Sequence, residues 1–216
     1  MTELDKATQD FLIEKIQAFD PEAKILGEEN GLDRLSDFSG RVFIIDPIDG
    51  TMNFVLEKEN FCIMIAVYEE GQGRFGFVYN VMKNEFLWGG PEIGVFCNGK
   101  KIDPPKDIAL EEGLIGLNAP MLMHNRHHEV EMSERALGVR MTGCAGIELI
   151  ALVLGQRAGY ISNLAPWDYA PGGILMETLG LKMANITGEE LALDGRELFI
   201  GGTPTAFQEL LTIANQ

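Results

Sequence analysis

Basic residues are scarce in this sequence. Its 216 residues include 17 Lys and Arg against 33 Asp and Glu, which gives a formal net charge of −16 at pH 7. Nucleic acids and anionic membranes are bound through basic surfaces, so this charge balance argues against both as partners. A phosphate-bearing ligand would bind such a chain only where a cation offsets the negative field.

Cysteines and long apolar runs are also lacking. The 3 cysteines, Cys62, Cys97 and Cys144, are odd in number and far apart. They form neither a disulfide framework nor a zinc-binding spacing, which is typical of a protein in the reducing cytoplasm. No apolar run approaches the ~20 residues that span a bilayer, and residues 1–10 do not resemble a signal peptide. We therefore expect a cytoplasmic protein without a membrane segment.

What the sequence does contain is clear apolar periodicity. Residues 2–19 predict an amphipathic helix, and Thr2 and Asp5 fit a capping box that would leave Asp5 on an exposed first turn. The predicted apolar face of this helix consists of Leu4, Ala7, Phe11, Leu12, Ile16 and Phe19.

A run of predicted strands follows this helix, and helices and strands then alternate. The strands of the run are "RVFIIDP", "FCIMIAVYE", "GRFGFVYNV", "NEFLWGG" and the hairpin "GVFCNGKKI" with an Asn98-Gly99 turn. The second half alternates "GLIGLNA", a helix at 127–137, "GVRMTG", a helix at 147–156, "AGYIS", "WDYAPGGILMETLG", "LFIGG" and a closing helix from Thr203. This order predicts a layered α/β (α+β) domain with mixed sheets, in two lobes at 1–115 and 116–216.

The segment "IIDPIDGTMNF" places two carboxylates directly after a buried strand. Asp46 and Asp49 lie three residues apart and would repel each other unless a cation lies between them. Hard divalent cations prefer such oxygen ligands. The N–H groups of Gly50 and Thr51 could contact an anion beside them. An ordinary Asp-Gly turn explains this segment about as well.

Two further segments supply carboxylates. "ILGEEN" places Glu28 and Glu29 after an apolar pair and a glycine, and "APWDYAPGG" places Asp168 at the start of a helix. Taken singly, Asp168 is explained by helix capping and Glu28 by a solvated acidic loop. A third group, His124, His127 and His128, would suit either a metal cluster or an exposed turn, and the turn is favoured.

Together, "DPIDGTMNF", "GEEN" and "PWDYAPGG" resemble the inositol monophosphatase family of Mg²⁺-dependent, lithium-sensitive phosphatases, in the family's order and over nearly the whole chain. The resemblance implies a layered αβαβα sandwich of the sugar-phosphatase type, a homodimer, two or three Mg²⁺ ions per site and a small phosphorylated substrate. Family members also have a helix before the Thr-x-x-Asp segment, which we expect to be absent here.

The resemblance also implies a role for individual residues. Glu28, Asp46 and the carbonyl of Ile48 would hold the first Mg²⁺, and Asp46, Asp49 and Asp168 the second. The catalytic residues would be Glu28 with the water-activating pair Asp5 and Thr51. The substrate contacts would be Gly50, Thr51, Cys144, Ala145 and Asp168.

The substrate prediction is the weaker part of the resemblance. Inositol-specific members carry an acidic residue shortly before the Trp-Asp pair, whereas "GYISNLAP" contains none. A missing hydroxyl partner lowers specificity. Inositol monophosphate is therefore the leading substrate, with fructose 1,6-bisphosphate, nucleotide 3′-phosphates and NADP(H) as alternatives.

Other classes of protein fit less well. The D-x-x-D spacing is one residue longer than the D-x-D of phosphatases with an aspartyl nucleophile. "GVFCNGKK" approaches the Walker A phosphate-binding loop, but its last position is Lys101 instead of Ser or Thr. No helix can start after it, because Pro104 and Pro105 follow. A catalytically inactive family member that acts as a binding protein remains an alternative.

Overall fold

Two mixed β-sheets and the helices between and around them form the structure. It is a computed structural model, and it describes residues 3–29, 31–32, 34–35 and 37–216. The strands are β1 (Lys24–Gly27), β2 (Arg41–Asp49), β3 (Cys62–Glu69), β4 (Gln72–Asn80), β5 (Glu85–Gly90), β6 (Gly94–Cys97), β7 (Lys100–Ile102), β8 (Leu114–Gly116), β9 (Gly138–Arg140), β10 (Gly159–Leu164), β11 (Lys182–Asn185) and β12 (Glu197–Gly202). The α-helices are α1 (Glu3–Phe19), α2 (Thr51–Leu56), α3 (Ala119–Met123), α4 (Glu129–Arg135), α5 (Ala145–Val153), α6 (Pro166–Thr178) and α7 (Pro204–Ala214).

The first sheet has the order β1-β2-β3-β4-β5-β6-β7. β1 runs parallel to β2, and the remaining neighbours are antiparallel. β2 is buried from Val42 onward because α1 covers one of its faces and α6 the other, which explains the unbroken apolar run at residues 42–45. Asn98 and Gly99 have φ values of 47° and 80°, so the predicted hairpin turn with two left-handed residues is confirmed.

The second sheet has the order β11-β12-β10-β8-β9, with parallel pairs at β10–β8 and β8–β9 and antiparallel pairs at β10–β12 and β11–β12. α5 and α6 lie between the two sheets, α1 packs on the outer face of the first, and α7 packs on the second. The predicted layered αβαβα sandwich with mixed sheets is therefore confirmed. The division into lobes near residue 115 stays a prediction.

The first helix corrects part of the sequence interpretation. Its buried residues are Asp5, Gln9 and Ile16, whereas Phe11 and Phe19 are 57% and 79% exposed. Asp5 is thus buried rather than on an exposed turn. The predicted N-cap, Thr2, lies outside the described residues.

Smaller differences concern the lengths of elements. The predicted helix at 127–137 is divided into a 3₁₀ turn, Arg126–His128, and α4, because His127 and His128 have positive φ values of 52° and 60°. α5 starts two residues earlier than predicted, and β1, β11 and α3 were not predicted. No helix within the described part of the chain is both long and apolar enough to cross a membrane.

Candidate active site

The two carboxylates of "DPIDG" lie on one side of β2 because the strand is irregular there. Asp46 is opposite Met64 and Asp49 is opposite Cys62, so β2 has one residue more than β3 between these pairs. In a regular strand, residues three apart point to opposite faces, and an extra residue reverses that alternation. Pro47 is tolerated here because it removes a donor only where the ladder is already interrupted.

A third carboxylate reaches this point from the other layer. Asp168, in the first turn of α6, joins Asp46 and Asp49 in a group in which one oxygen of each lies within 4.8 Å of the others. All three side chains are buried. Burial, then Asp49, Asp168 and Glu28, raise the pKa of Asp46 well above its ordinary value. Burial and Asp49 raise the pKa of Asp168 to about 6. Asp46 and Asp168 therefore favour a bound proton or cation more strongly than exposed carboxyl groups do.

Glu28 joins the group through the parallel pairing of β1 and β2. Gly27, the last residue of β1, is opposite Ile45, so Glu28 follows the strand at the level of Asp46, whose pKa its charge helps to raise. Burial and then Asp168, Glu29 and Asp49 raise the pKa of Glu28 to about 7. The sequence interpretation of Glu28 as part of a carboxylate cluster thus agrees with its position.

The first residues of α5 hold Asp49. The Cys144 thiol donates to Asp49 Oδ2 at 3.0 Å, and the Ala145 and Gly146 backbone N–H groups donate to the same carboxylate. These hydrogen bonds lower the pKa of Asp49, but burial outweighs them and the net shift is upward. Cys144 and Ala145 also line the cavity described below, and their predicted substrate contact stays a prediction.

The turn after Asp49 joins the early helix to the cluster. Gly50 has a left-handed φ of 86°, which L residues with side chains rarely adopt, and α2 starts immediately after it. The Thr51 hydroxyl lies 3.1 Å from the carbonyl oxygen of Ile48 and 3.5 Å from Asp5 Oδ1. The Ile48 N–H donates to Asp46 Oδ1 at 3.0 Å. The predicted pair Asp5 and Thr51 is thus brought together from two distant segments.

A cavity of about 460 Å³ opens above the cluster. Its walls contain the predicted site residues Glu28, Asp46, Ile48, Asp49, Gly50, Thr51, Cys144, Ala145 and Asp168. Asp5 is not part of these walls and reaches the site through Thr51. His124, His127 and His128 do not line it, and among the described residues only the three aspartates have the spacing of a metal site.

Sequence reasoning missed several wall residues, namely Asn118, Glu148, Ser162, Asn163 and Arg196. The Arg196 guanidinium donates to Asp168 Oδ2 at 3.0 Å and to the Asn163 carbonyl at 3.2 Å. Glu148 forms an ion pair with Arg157 at 2.9 Å. Asn118 and Arg196 belong to no segment with a recognisable spacing, and Ser162 and Asn163 stand in "GYISNLAP", whose sequence indicates only that an acidic residue is missing. The fold is what brings these side chains together.

The site fits a hard divalent cation. Among the described residues, five carboxyl groups and one guanidinium, that of Arg196, line the cavity. Glu148 is paired with Arg157, so the carboxyl groups of Glu28, Asp46, Asp49 and Asp168 remain beside that guanidinium. The ligands offered are oxygens only, which suits Mg²⁺ better than a soft metal. Burial and mutual repulsion raise the pKa values of Glu28, Asp46 and Asp168, although the Arg196 guanidinium pairs with Asp168.

Comparison with known proteins identifies the same family that the sequence motifs resemble. The sequence model described as "Inositol monophosphatase family" matches residues 1–216. The chain is 36% identical over 220 residues to an inositol-1-monophosphatase of Bacillus subtilis (strain 168), covering 98% of this chain and 83% of the relative. It is 28% identical to a fructose-1,6-bisphosphatase/inositol-1-monophosphatase of Thermotoga maritima, covering 100% of this chain and 82% of the relative.

Solved structures agree with the sequence relatives. Inositol monophosphatase-II from Staphylococcus aureus MSSA476 superposes with a TM-score of 0.91 at 31% identity, covering 96% of this chain and 79% of that chain. The family model over the whole chain, the relative at 36% identity and the solved structures show that the chain belongs to the inositol monophosphatase family and is a phosphatase.

Proposed function

We propose that the protein hydrolyses a small phosphate monoester with Mg²⁺, and that inositol monophosphate is its leading substrate. The observation that carries the proposal is the group of three buried aspartates that line an open cavity. One carboxylate oxygen of each lies within 4.8 Å of the other two. Buried like charges without a compensating ion are costly, so an arrangement of this kind is expected where a cation binds.

Each carboxylate has a place in this proposal. Glu28, Asp46 and the Ile48 carbonyl would hold one Mg²⁺, and Asp46, Asp49 and Asp168 another. Bound Mg²⁺ supplies positive charge that lowers the pKa of water and neutralises phosphoryl oxygens. The Arg196 guanidinium and the Ala165 N–H, both bonded to Asp168 Oδ2, orient that carboxylate.

The protein's own groups then position and deprotonate the attacking water. Thr51 Oγ1 would accept a proton from the water and pass its own to Asp5 Oδ1, which lies 3.5 Å away. The N–H groups of Gly50 and Thr51 would contact the phosphate. The P–O bond to the alcohol would break as the bond to the water oxygen forms, and the departing alkoxide would take a proton from solvent. The products would be the alcohol and inorganic phosphate, without a covalent enzyme intermediate.

The test is phosphate release from inositol 1-phosphate, fructose 1,6-bisphosphate, a nucleotide 3′-phosphate and NADP⁺, with and without Mg²⁺. Mg²⁺-dependent release from inositol 1-phosphate supports the proposal, and inhibition by Li⁺ would support the family mechanism. A folded protein that releases no phosphate from any of the four would instead be a binding protein. Sedimentation at micromolar concentration tests the predicted homodimer.

A second candidate substrate class is favoured by one further observation. A cavity of about 650 Å³ shares Asn118, Pro120, Asn163 and Arg196 with the first and adds the basic side chains of Arg126 and His127. In a chain of −16 charge, basic residues gathered beside the site suit a substrate with a second anionic group. Fructose 1,6-bisphosphate and NADP⁺ both have one. A structural neighbour at 28% identity, with a TM-score of 0.90, is described as a dual specific IMPase/NADP phosphatase.

Arg126→Ala distinguishes the two candidates. If a second anion binds there, kcat/KM for fructose 1,6-bisphosphate or NADP⁺ should fall about tenfold or more while kcat/KM for inositol 1-phosphate is unchanged. Lys100→Ala removes the same charge from β7, outside both cavities, and serves as the control. Equal effects of both variants on all substrates would favour inositol monophosphate.

A further inference from the structure

Gln9 makes an unusual pair of contacts from the buried face of α1. Its side chain is completely buried. Its Nε2 donates to the carbonyl oxygen of Glu29 at 2.8 Å, and its Oε1 accepts from the N–H of the same residue at 3.0 Å. One side-chain amide thus satisfies both backbone groups of Glu29. We call this pair of hydrogen bonds the Gln9 clamp.

The Gln9 side chain also packs closely against Gly27. A Cβ on Gly27 would lie 2.7 Å from Gln9 Oε1, so the glycine leaves the space that the amide occupies. Gly27 is itself paired with Ile45 of β2, and its N–H donates to the Leu32 carbonyl at 2.9 Å. Glu28 therefore lies between two residues whose backbones are both held in place.

Such restraint has a reason at this position. Glu28 is only partly buried and faces Asp49 and Asp168, whose negative charges repel its carboxylate. An unrestrained glutamate next to solvent would turn away from such a cluster. Two charge-neutral hydrogen bonds to the adjacent peptide hold the backbone without adding another charge.

From this geometry we infer that Gln9 is a positioning residue that holds Glu28 at the carboxylate cluster and thereby sets the affinity of the site for divalent cations. The inference rests on the metal site of the proposed function. It also accounts for an amide at residue 9, since only an amide of this length both donates and accepts here. Glutamate would lose the donor and add a charge, and asparagine would be one methylene too short.

Direct metal binding tests the inference without relying on turnover. Mn²⁺ binding, followed by the electron paramagnetic resonance signal of the free ion, should be about 10–100-fold weaker in Gln9→Glu and Gln9→Leu, the range typical of residues that orient metal ligands. Gln17→Leu is the control, because Gln17 is exposed on the same helix. In turnover, a higher Mg²⁺ concentration should restore most of kcat.

Gly27→Ala provides an independent variant. Its methyl group should displace Gln9 and weaken Mn²⁺ binding, while the double variant Gln9→Ala/Gly27→Ala should bind no more weakly than Gln9→Ala alone, since the clash is gone. Wild-type affinity in folded Gln9 variants, or losses that multiply, would overturn the inference. If the wild-type protein itself binds no Mn²⁺, the proposed function fails instead.

Discussion

At the scale of single residues, Asp46 has the most specific expectation. It lies in both proposed metal sites and is almost completely buried. Asp46→Asn keeps the shape but removes the charge, so we expect turnover to be abolished and Mg²⁺ binding to weaken while the fold persists. Asp168→Asn should have a milder effect on Mg²⁺ binding. Calorimetric titration measures Mg²⁺ binding by both variants, and circular dichroism checks that they are folded. Mg²⁺-dependent turnover in folded Asp46→Asn would contradict the assignment of Asp46 as a metal ligand.

The pair Asp5 and Thr51 gives a second prediction. If the Asp5 carboxylate accepts a proton through Thr51, Asp5→Asn should lower kcat by about 10²–10⁴. Thr51→Ala should lose a similar factor, and the double variant little more, because groups that act as a unit are not additive. The measurement is steady-state kcat at saturating Mg²⁺. Near-normal turnover of Asp5→Asn would return Asp5 to the role of a helix cap.

A third residue prediction lies outside the site and concerns Glu129. This glutamate is completely buried, and burial raises its pKa to about 8. Because the folded form holds its proton more strongly than the unfolded form, stability should fall as pH rises from about 4.5 to about 8, by at most ~1.4 kcal/mol per pH unit. Glu129→Gln should therefore be more stable than wild type at pH 9 and similar at pH 5. Urea unfolding measures this, and Glu134→Gln, on the exposed side of α4, should change neither value.

At the scale of elements, the sequence predicts those strands whose burial leaves a clear pattern of apolar residues along several positions. β3 alternates between buried and partly buried positions, and residues 42–45 of β2 are all apolar because helices cover both faces of that strand. The short strands β1 and β11, with four residues each, have too few positions to show an alternation. The predicted apolar face of α1 is only partly correct: Ile16 and Leu12 pack on the core, but the buried side also includes two polar residues, Asp5 and Gln9. A hydrophobicity pattern places such residues in solvent.

The candidate site divides in the same way. Asp46, Asp49 and Asp168 could be proposed from the sequence because each belongs to a recognisable motif, at the end of β2 or in the first turn of α6. Arg196 could not, since it contacts Asp168 from a loop 28 residues away that carries no pattern of its own. Gln9 was missed for a related reason, because its partner is the backbone of Glu29 and no sequence motif records a backbone contact.

At the scale of the whole molecule, Mg²⁺ should stabilise the fold, and the effect should depend on pH. Without metal, the raised pKa values of Glu28 and Asp168, about 7 and about 6, mean that stability is lost as pH rises through these values. Mg²⁺ must displace those protons, so it binds more tightly at pH 8 than at pH 6. We expect 10 mM Mg²⁺ to raise Tm by several degrees at pH 8 and by less at pH 6. Scanning calorimetry with EDTA as the reference measures the difference, and an equal shift at both pH values would contradict it.

The positions of the ligands along the chain have a kinetic consequence. Glu28 and Asp168 are separated by most of the sequence, and they come together only after both sheets and α6 have formed. A transition state for folding that lacks this arrangement cannot bind the ion, so metal should leave the refolding rate almost unchanged and slow unfolding by nearly the full equilibrium effect. The lifetime of the native protein, rather than the speed at which it forms, is then what the carboxylate cluster controls.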